Sequence, residues 1–145
     1  MDIESILAGK GRVVRTIRPD VSVAEAARRM RHEAVGALVV SDDGARIRGI
    51  ISERGIMHAI ADRGVAVMSE RVDKVMTREV FTCIPADPVS AIMAMMTERR
   101  IRHIPVVDDR GRLCGIVSIG DVVKNRLDEI QEEAEAMREY ITNTR

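Results

Sequence analysis

The apolar residues of this chain alternate between two spacings. Residues 13–17 (Val-Val-Arg-Thr-Ile) read as a short extended stretch running into Pro19, whose fixed φ and missing N–H favour a turn. Ser22 stands three residues before Glu25, as in a capping box, and Val23, Ala26, Ala27 and Met30 follow at helical spacing. The dense apolar run 35–40 predicts a strand, Asp42-Asp43-Gly44 a hairpin turn, and 47–52 the returning strand. A second helix is expected over 54–61, closing near Arg63-Gly64. The order is β-α-β-β-α.

That order then recurs. Shifted by 66 positions, residues 14–56 lie on 80–122 without a gap, and twelve of the 43 pairs are identical. They include Thr16/Thr82, Pro19/Pro85, Met30/Met96, Asp42/Asp108, Gly49/Gly115 and Ser52/Ser118, while most strand positions exchange one apolar residue for another. The second copy therefore predicts a strand over 80–84, a helix carrying Val89, Ile92, Met93 and Met96, a hairpin over 101–118, and a helix from about Ile119. The chain divides into repeat 1 (1–64), a linker with a short helical turn (65–77), repeat 2 (78–126) and a C-terminal helix (127–145). In that last helix Val123, Leu127, Ile130, Ala134, Met137 and Ile141 alternate spacings of four and three, a heptad seam of about two and a half repeats. Such a seam either packs on its own domain or faces a partner.

Composition narrows the function. Lys+Arg and Asp+Glu are both 23, so no net charge attracts nucleic acid or an anionic membrane. Phe81 and Tyr140 are the only aromatic residues, too few to stack single-stranded bases. His32, His58 and His103 show no metal-ligand spacing, and GxSxG, Walker A and GxGxxG loops are absent. Cys83 and Cys114 lack CxxC spacing and read as small buried apolar residues, and the nine methionines as plastic core or interface filler. No enzyme, metal site or required cofactor is expected. The acidic N-terminus, broken by Gly9 and Gly11, does not read as a signal peptide, and no run reaches ~18 apolar residues, so the cytoplasm is the expected location.

Val75-Met76-Thr77, Ile101-Arg-His-Ile-Pro-Val-Val-Asp108 and Gly115-Ile-Val-Ser-Ile-Gly-Asp-Val122 resemble the cystathionine-β-synthase (CBS) domain, a tandem pair of which is a Bateman module. The resemblance covers residues 3–126. It implies an α/β (α+β) fold: two βαββα repeats packed as a pseudo-twofold disc, with the C-terminal helix as an extension. It also implies a homodimer and a cleft for an adenosine compound (AMP, ADP, ATP, NAD(H) or S-adenosylmethionine) that regulates a separate partner protein. The alternative is a structural homodimerisation module with vestigial pockets.

The family's ligand motif, Gly-h-x-[Ser/Thr]-x-x-[Asp/Asn] (h apolar), is complete in repeat 2 as Gly115, Ser118 and Asp121. It lies where a strand ends and a helix begins, so free N–H groups meet an anionic ligand and Asp121 can accept from both ribose hydroxyls. The same Ser-x-x-Asp pattern also caps a helix. By resemblance, the pocket is completed by Thr16, Val35, Gly36 and Ala37 from repeat 1 and by Arg102 and His103 beside the phosphates. Gly36 leaves room for a flat ring, and the Arg102 guanidinium suits a phosphate. In repeat 1 the motif reads Gly49, Ser52, Gly55: a glycine replaces the ribose-binding acid, so the pocket of Ser52, Gly55, Thr82 and Ile84 is expected to be degenerate.

Overall fold

A computed structural model of the chain describes residues 1–143. Helix α1 (Ile3–Lys10) precedes strand β1 (Thr16–Ile17), helix α2 (Val23–Glu33), strands β2 (Ala37–Val40) and β3 (Gly49–Ser52), and helix α3 (Glu53–Arg63). Two 3-10 turns, Val65–Ser69 and Val72–Lys74, form the linker. Helix α4 (Val89–Arg99), strands β4 (His103–Val107) and β5 (Leu113–Ser118), and the long helix α5 (Ile119–Asn143) complete the second unit. The mixed helix–strand architecture and the terminal helix are those expected.

The 66-residue offset holds in the register of the two hairpins. Ala37↔Ser52 and Val40↔Gly49 in repeat 1 become His103↔Ser118 and Val106↔Gly115 in repeat 2. Helices α2 and α4 end on left-handed residues at matching positions, Ala34 (φ 55) and Arg100 (φ 54). Ser22 caps α2 by accepting from the Glu25 amide, as its spacing predicts. Each repeat has its own core: Ile17, Val23, Met30, Leu38, Val40 and Ile51 in the first, Val89, Ile92, Met96, Ile104, Val106 and Val117 in the second. The amide of Leu113 donates to the Ala45 carbonyl at 2.8 Å, joining β5 to the hairpin of the other repeat.

Two expectations need correction. The strand expected over 80–84 is a single parallel bridge, Cys83↔Val106. In repeat 1 the Val39 amide donates to Arg15 and the Ser41 amide to Ile17, holding β1 against β2. The residue equivalent to Val39 is Pro105, which has no N–H, so one rung of the ladder cannot form.

The second correction concerns residues 1–10, placed by sequence in repeat 1. In space they belong to repeat 2: Ile3, Ile6 and Leu7 are buried in its core. Helix α1 forms because Asp2 accepts from the Ser5 amide as N-cap, Glu4 sits in the first turn and Lys10 in the last. Ile3 and Glu4 donate to the carbonyls of Asp87 and Pro85, and the Val89 amide donates to Met1. In repeat 1 the linker makes the same three bonds: Val72 and Asp73 donate to Val21 and Pro19, and Val23 donates to Glu70. The motif glycines complete the match. A Cβ on Gly115 would lie 2.7 Å from Leu7 Cδ2, and one on Gly49 2.6 Å from Met76 Sδ. Each repeat therefore takes a docking segment from outside its own βαββα run, the linker for repeat 1 and α1 for repeat 2, and Ile3-Glu-Ser-Ile-Leu7 is the counterpart of Val72-Asp-Lys-Val-Met76.

Candidate functional site

Strand β5 ends where α5 begins, and Ser118 and Asp121 sit on that junction. The Ser118 hydroxyl accepts from the Asp121 amide at 3.2 Å, and the Asp121 carboxylate accepts from the Ser118 amide at 2.8 Å. This is a reciprocal cap of the capping-box kind. At the equivalent β3–α3 junction Ser52 accepts from the Gly55 amide at 3.0 Å, but Gly55 has no side chain to answer. The glycine thus removes half of the cap as well as the carboxylate.

Asp121 has a second partner that the sequence did not reveal. Lys10, at the end of α1, places its Nζ 2.6 Å from Asp121 Oδ2 and 2.9 Å from the Ile116 carbonyl. Burial raises the Asp121 pKa, but the Lys10 ammonium and the Ser118 bonds outweigh it, and the carboxyl is held below its ordinary value. Both the Lys10 bond and the Ser118 amide bond fall on Oδ2, so neither uses Oδ1. The Lys10 signal was hidden because Gly9 and Gly11 flank it and obscure the helix that carries it.

Residues of repeat 1 meet this group across the repeat boundary. A Cβ on Gly36 would lie 3.2 Å from both Cε1 and Nε2 of His103 and 3.5 Å from Glu53 Oε1. The flat ring lying against Gly36 is the imidazole of His103, a strand residue of repeat 2. Burial lowers the His103 pKa; Glu53 and Asp121 oppose that shift, while Lys10 and Arg102 add to it. His103 is therefore coupled to an array of two carboxylates and two cations, of which Glu53, like Lys10, was not foreseen. Glu53 starts α3, its amide donating to the Gly36 carbonyl, and it replaces the apolar Ile119 of the other repeat.

The remaining candidates divide by surroundings. Ala37 is buried opposite Ser52 in the sheet. Val35 packs beside the repeat 1 core and, with Gly36, Glu53, Met30, Arg31 and Ile56, lines an open cleft of about 530 Å³. Thr16 lies on β1 with its carbonyl bonded to Arg29 at 2.6 Å. Arg102 is exposed, and its carbonyl accepts from Ile119 at the start of α5. Thr82 and Ile84 are exposed, and the Ile84 amide is taken by Asp87. The structure thus joins Gly36, His103, Ser118 and Asp121 through Lys10 and Glu53, and gives Thr16 and Ile84 backbone partners elsewhere.

The Cys83 thiol is pushed up to about 12, chiefly by burial, and is a poor nucleophile. Among the described residues no group of three His, Cys, Asp or Glu could hold a metal ion, and no helix is long and apolar enough to cross a membrane.

Comparison with known proteins bears on the repeat and the fold. The sequence profile of the CBS domain matches residues 11–62 and 72–128. A mitochondrial CBS domain-containing protein of Arabidopsis thaliana is 40% identical over 126 residues, covering 84% of this chain and 61% of its own length. The chain thus spans about three-fifths of that relative. A crystal structure of a CBS-domain containing protein from Agrobacterium tumefaciens superimposes with TM-score 0.83 at 41% identity, covering 87% of this chain and 99% of that one. Two relatives at 26% identity were solved with ligands. A CBS domain protein of Pyrobaculum aerophilum is complexed with AMP (TM-score 0.72, covering 83% of this chain and 89% of that one). The CBS domain pair of protein MJ0100 is complexed with 5-methylthioadenosine and S-adenosyl-L-methionine (TM-score 0.78, covering 89% and 98%).

Proposed function

Since this chain belongs to the CBS-domain family, we propose that it is a regulatory module that binds an adenosine nucleotide at the Ser118–Asp121 junction and passes its ligand state to a separate protein. The observation that carries this reading is the Asp121 carboxylate, ionised and set at a helix start with Oδ1 spared by its two neighbours. A ribose diol can donate to that oxygen. Lys10 and exposed Arg102 supply positive charge for a phosphate. That charge favours AMP and its higher phosphates over uncharged 5′-methylthioadenosine. The chemistry is binding and not catalysis: no nucleophile–base pair accompanies the site, and a conformational output needs only a ligand that prefers one arrangement of α1 and the cleft.

Calorimetric titration tests this. Wild-type protein should bind AMP more tightly than methylthioadenosine, and Lys10→Ala should lose affinity for AMP selectively. Equal affinity for the two ligands, or an unchanged AMP affinity in Lys10→Ala, would remove the phosphate role; no binding of either would remove the sensor reading.

A second reading, a homodimerisation module, is favoured by one observation. Helix α5 carries exposed Val123, Leu127, Ile130 and Met137 along its seam.

A further inference from the structure

One histidine stands between the Asp121 junction and the other repeat. His103 lies on β4 opposite Ser118 of β5, and Ser118 in turn bonds Asp121 at the head of α5. From repeat 1, Gly36 and Glu53 approach the same ring: a Cβ on Gly36 would stand 3.2 Å from His103 Nε2 and 3.5 Å from Glu53 Oε1. The missing side chain of Gly36 lets a strand residue of one repeat reach a carboxylate of the other. Glu53 opens α3 and is exposed, with no salt bridge among the described residues. Its counterpart in repeat 2 is the apolar Ile119, so the carboxylate stands on one side of the boundary only.

The charged groups facing this imidazole come from every element packed against it. Burial disfavours its charged form; Glu53 on α3 and Asp121 on α5 favour that form, while Lys10 on α1 and the neighbouring Arg102 oppose it. The free protein thus holds His103 neutral at pH 7. A nucleotide phosphate seated on Lys10 and Arg102 cancels the two cations that keep a proton away and adds negative charge of its own. We infer that nucleotide binding drives His103 to take a proton from solvent, and that the imidazolium then closes on Glu53 and clasps repeat 1 to repeat 2. Glu53 is accordingly a positioning residue: it acts through His103 and carries ligand state from the Asp121 junction to α3. This rests on the nucleotide reading, but the pairing of Glu53 with His103 is testable without ligand.

NMR titration of the ligand-free full chain comes first. Glu53 is exposed, so Glu53→Gln leaves both cores intact. It should titrate His103 at lower pH than wild type, and Glu53→Asp should recover part of the difference. An unchanged titration in Glu53→Gln overturns the pairing. Calorimetry with AMP, in buffers of different ionisation enthalpy, then counts protons. Wild type should take up more protons on binding than His103→Asn, in which only the AMP phosphate (second pKa about 6) and the other two histidines titrate. A rise of about one pKa unit at His103 makes AMP bind about tenfold more tightly at about pH 5.5 than at about pH 8, after the His103→Asn profile is subtracted. Glu53→Gln should lose most of that excess. Equal proton uptake in wild type and His103→Asn overturns the linkage, and equal uptake in wild type and Glu53→Gln overturns the role of Glu53. If AMP does not bind wild type, the nucleotide reading falls and the ligand-driven clasp with it, whatever the ligand-free titration shows.

Discussion

Replacing Leu7 by alanine tests whether the first ten residues are part of the second repeat. Leu7 is 1% exposed, and its Cδ2 is 2.7 Å from where a Cβ on Gly115 would stand. Truncation removes three carbons from a filled core and should cost about 2–5 kcal/mol. Gly115→Ala alone overpacks the same contact and should cost about 1–3 kcal/mol. Each change relieves the other, because the new methyl group enters the space vacated by the leucine. The double variant should therefore be more stable than the sum of the singles by about 1 kcal/mol or more. Urea unfolding of the four proteins supplies the cycle, with unchanged m-values as the check on the comparison. A Leu7→Ala cost below about 1 kcal/mol, or strict additivity with Gly115→Ala, would refute the docking role of α1.

Three further outcomes follow from the site. Gly55→Asp should restore the reciprocal cap of α3, adding about 0.5–1 kcal/mol of stability, and should raise nucleotide stoichiometry in calorimetry from one towards two. His103 should titrate by NMR below the ordinary 6.5. Because the unfolded chain takes up that proton first, stability contributed by neutral His103 is complete above 6.5 and falls as pH drops towards the folded-state pKa. Asp121 behaves as a lowered carboxylate: its contribution is present above the unfolded value of 3.8 and is lost as pH falls through the folded one. Lys10→Met should flatten that acid limb in pH-dependent thermal unfolding.

Much of the fold was legible in the sequence because the repeat doubled each weak signal. The Asp-Asp hairpin turns, the Ser22 cap and the start of α5 all stand where spacing puts them. What escaped notice depended on backbone chemistry or on contacts distant in sequence. Pro105 sits inside an apolar run that reads as an ordinary strand, and only the pairing shows that its absent N–H costs the neighbouring strand a rung. Helix α1 is short and flanked by glycines, and its buried face fits a core assembled from residues 83 onwards. Lys10 followed it out of sight. At the site, Ser118 and Asp121 were readable because their partnership spans three residues; the approach of His103 and Glu53 to Gly36 joins two repeats and has no local trace.

The most direct test of nucleotide sensing is thermal unfolding of wild type and Asp121→Asn in the presence of AMP, ADP, ATP, NADH, S-adenosylmethionine and GTP. Asparagine keeps a side-chain oxygen for the cap while removing the charge. At about 100 times its dissociation constant, a ligand stabilises by about 2.7 kcal/mol, or roughly 5–10 °C for a chain of this size. An adenosine phosphate should shift wild type by that amount and Asp121→Asn by far less. Equal shifts in both proteins, or none in either, would contradict a nucleotide site built on Asp121.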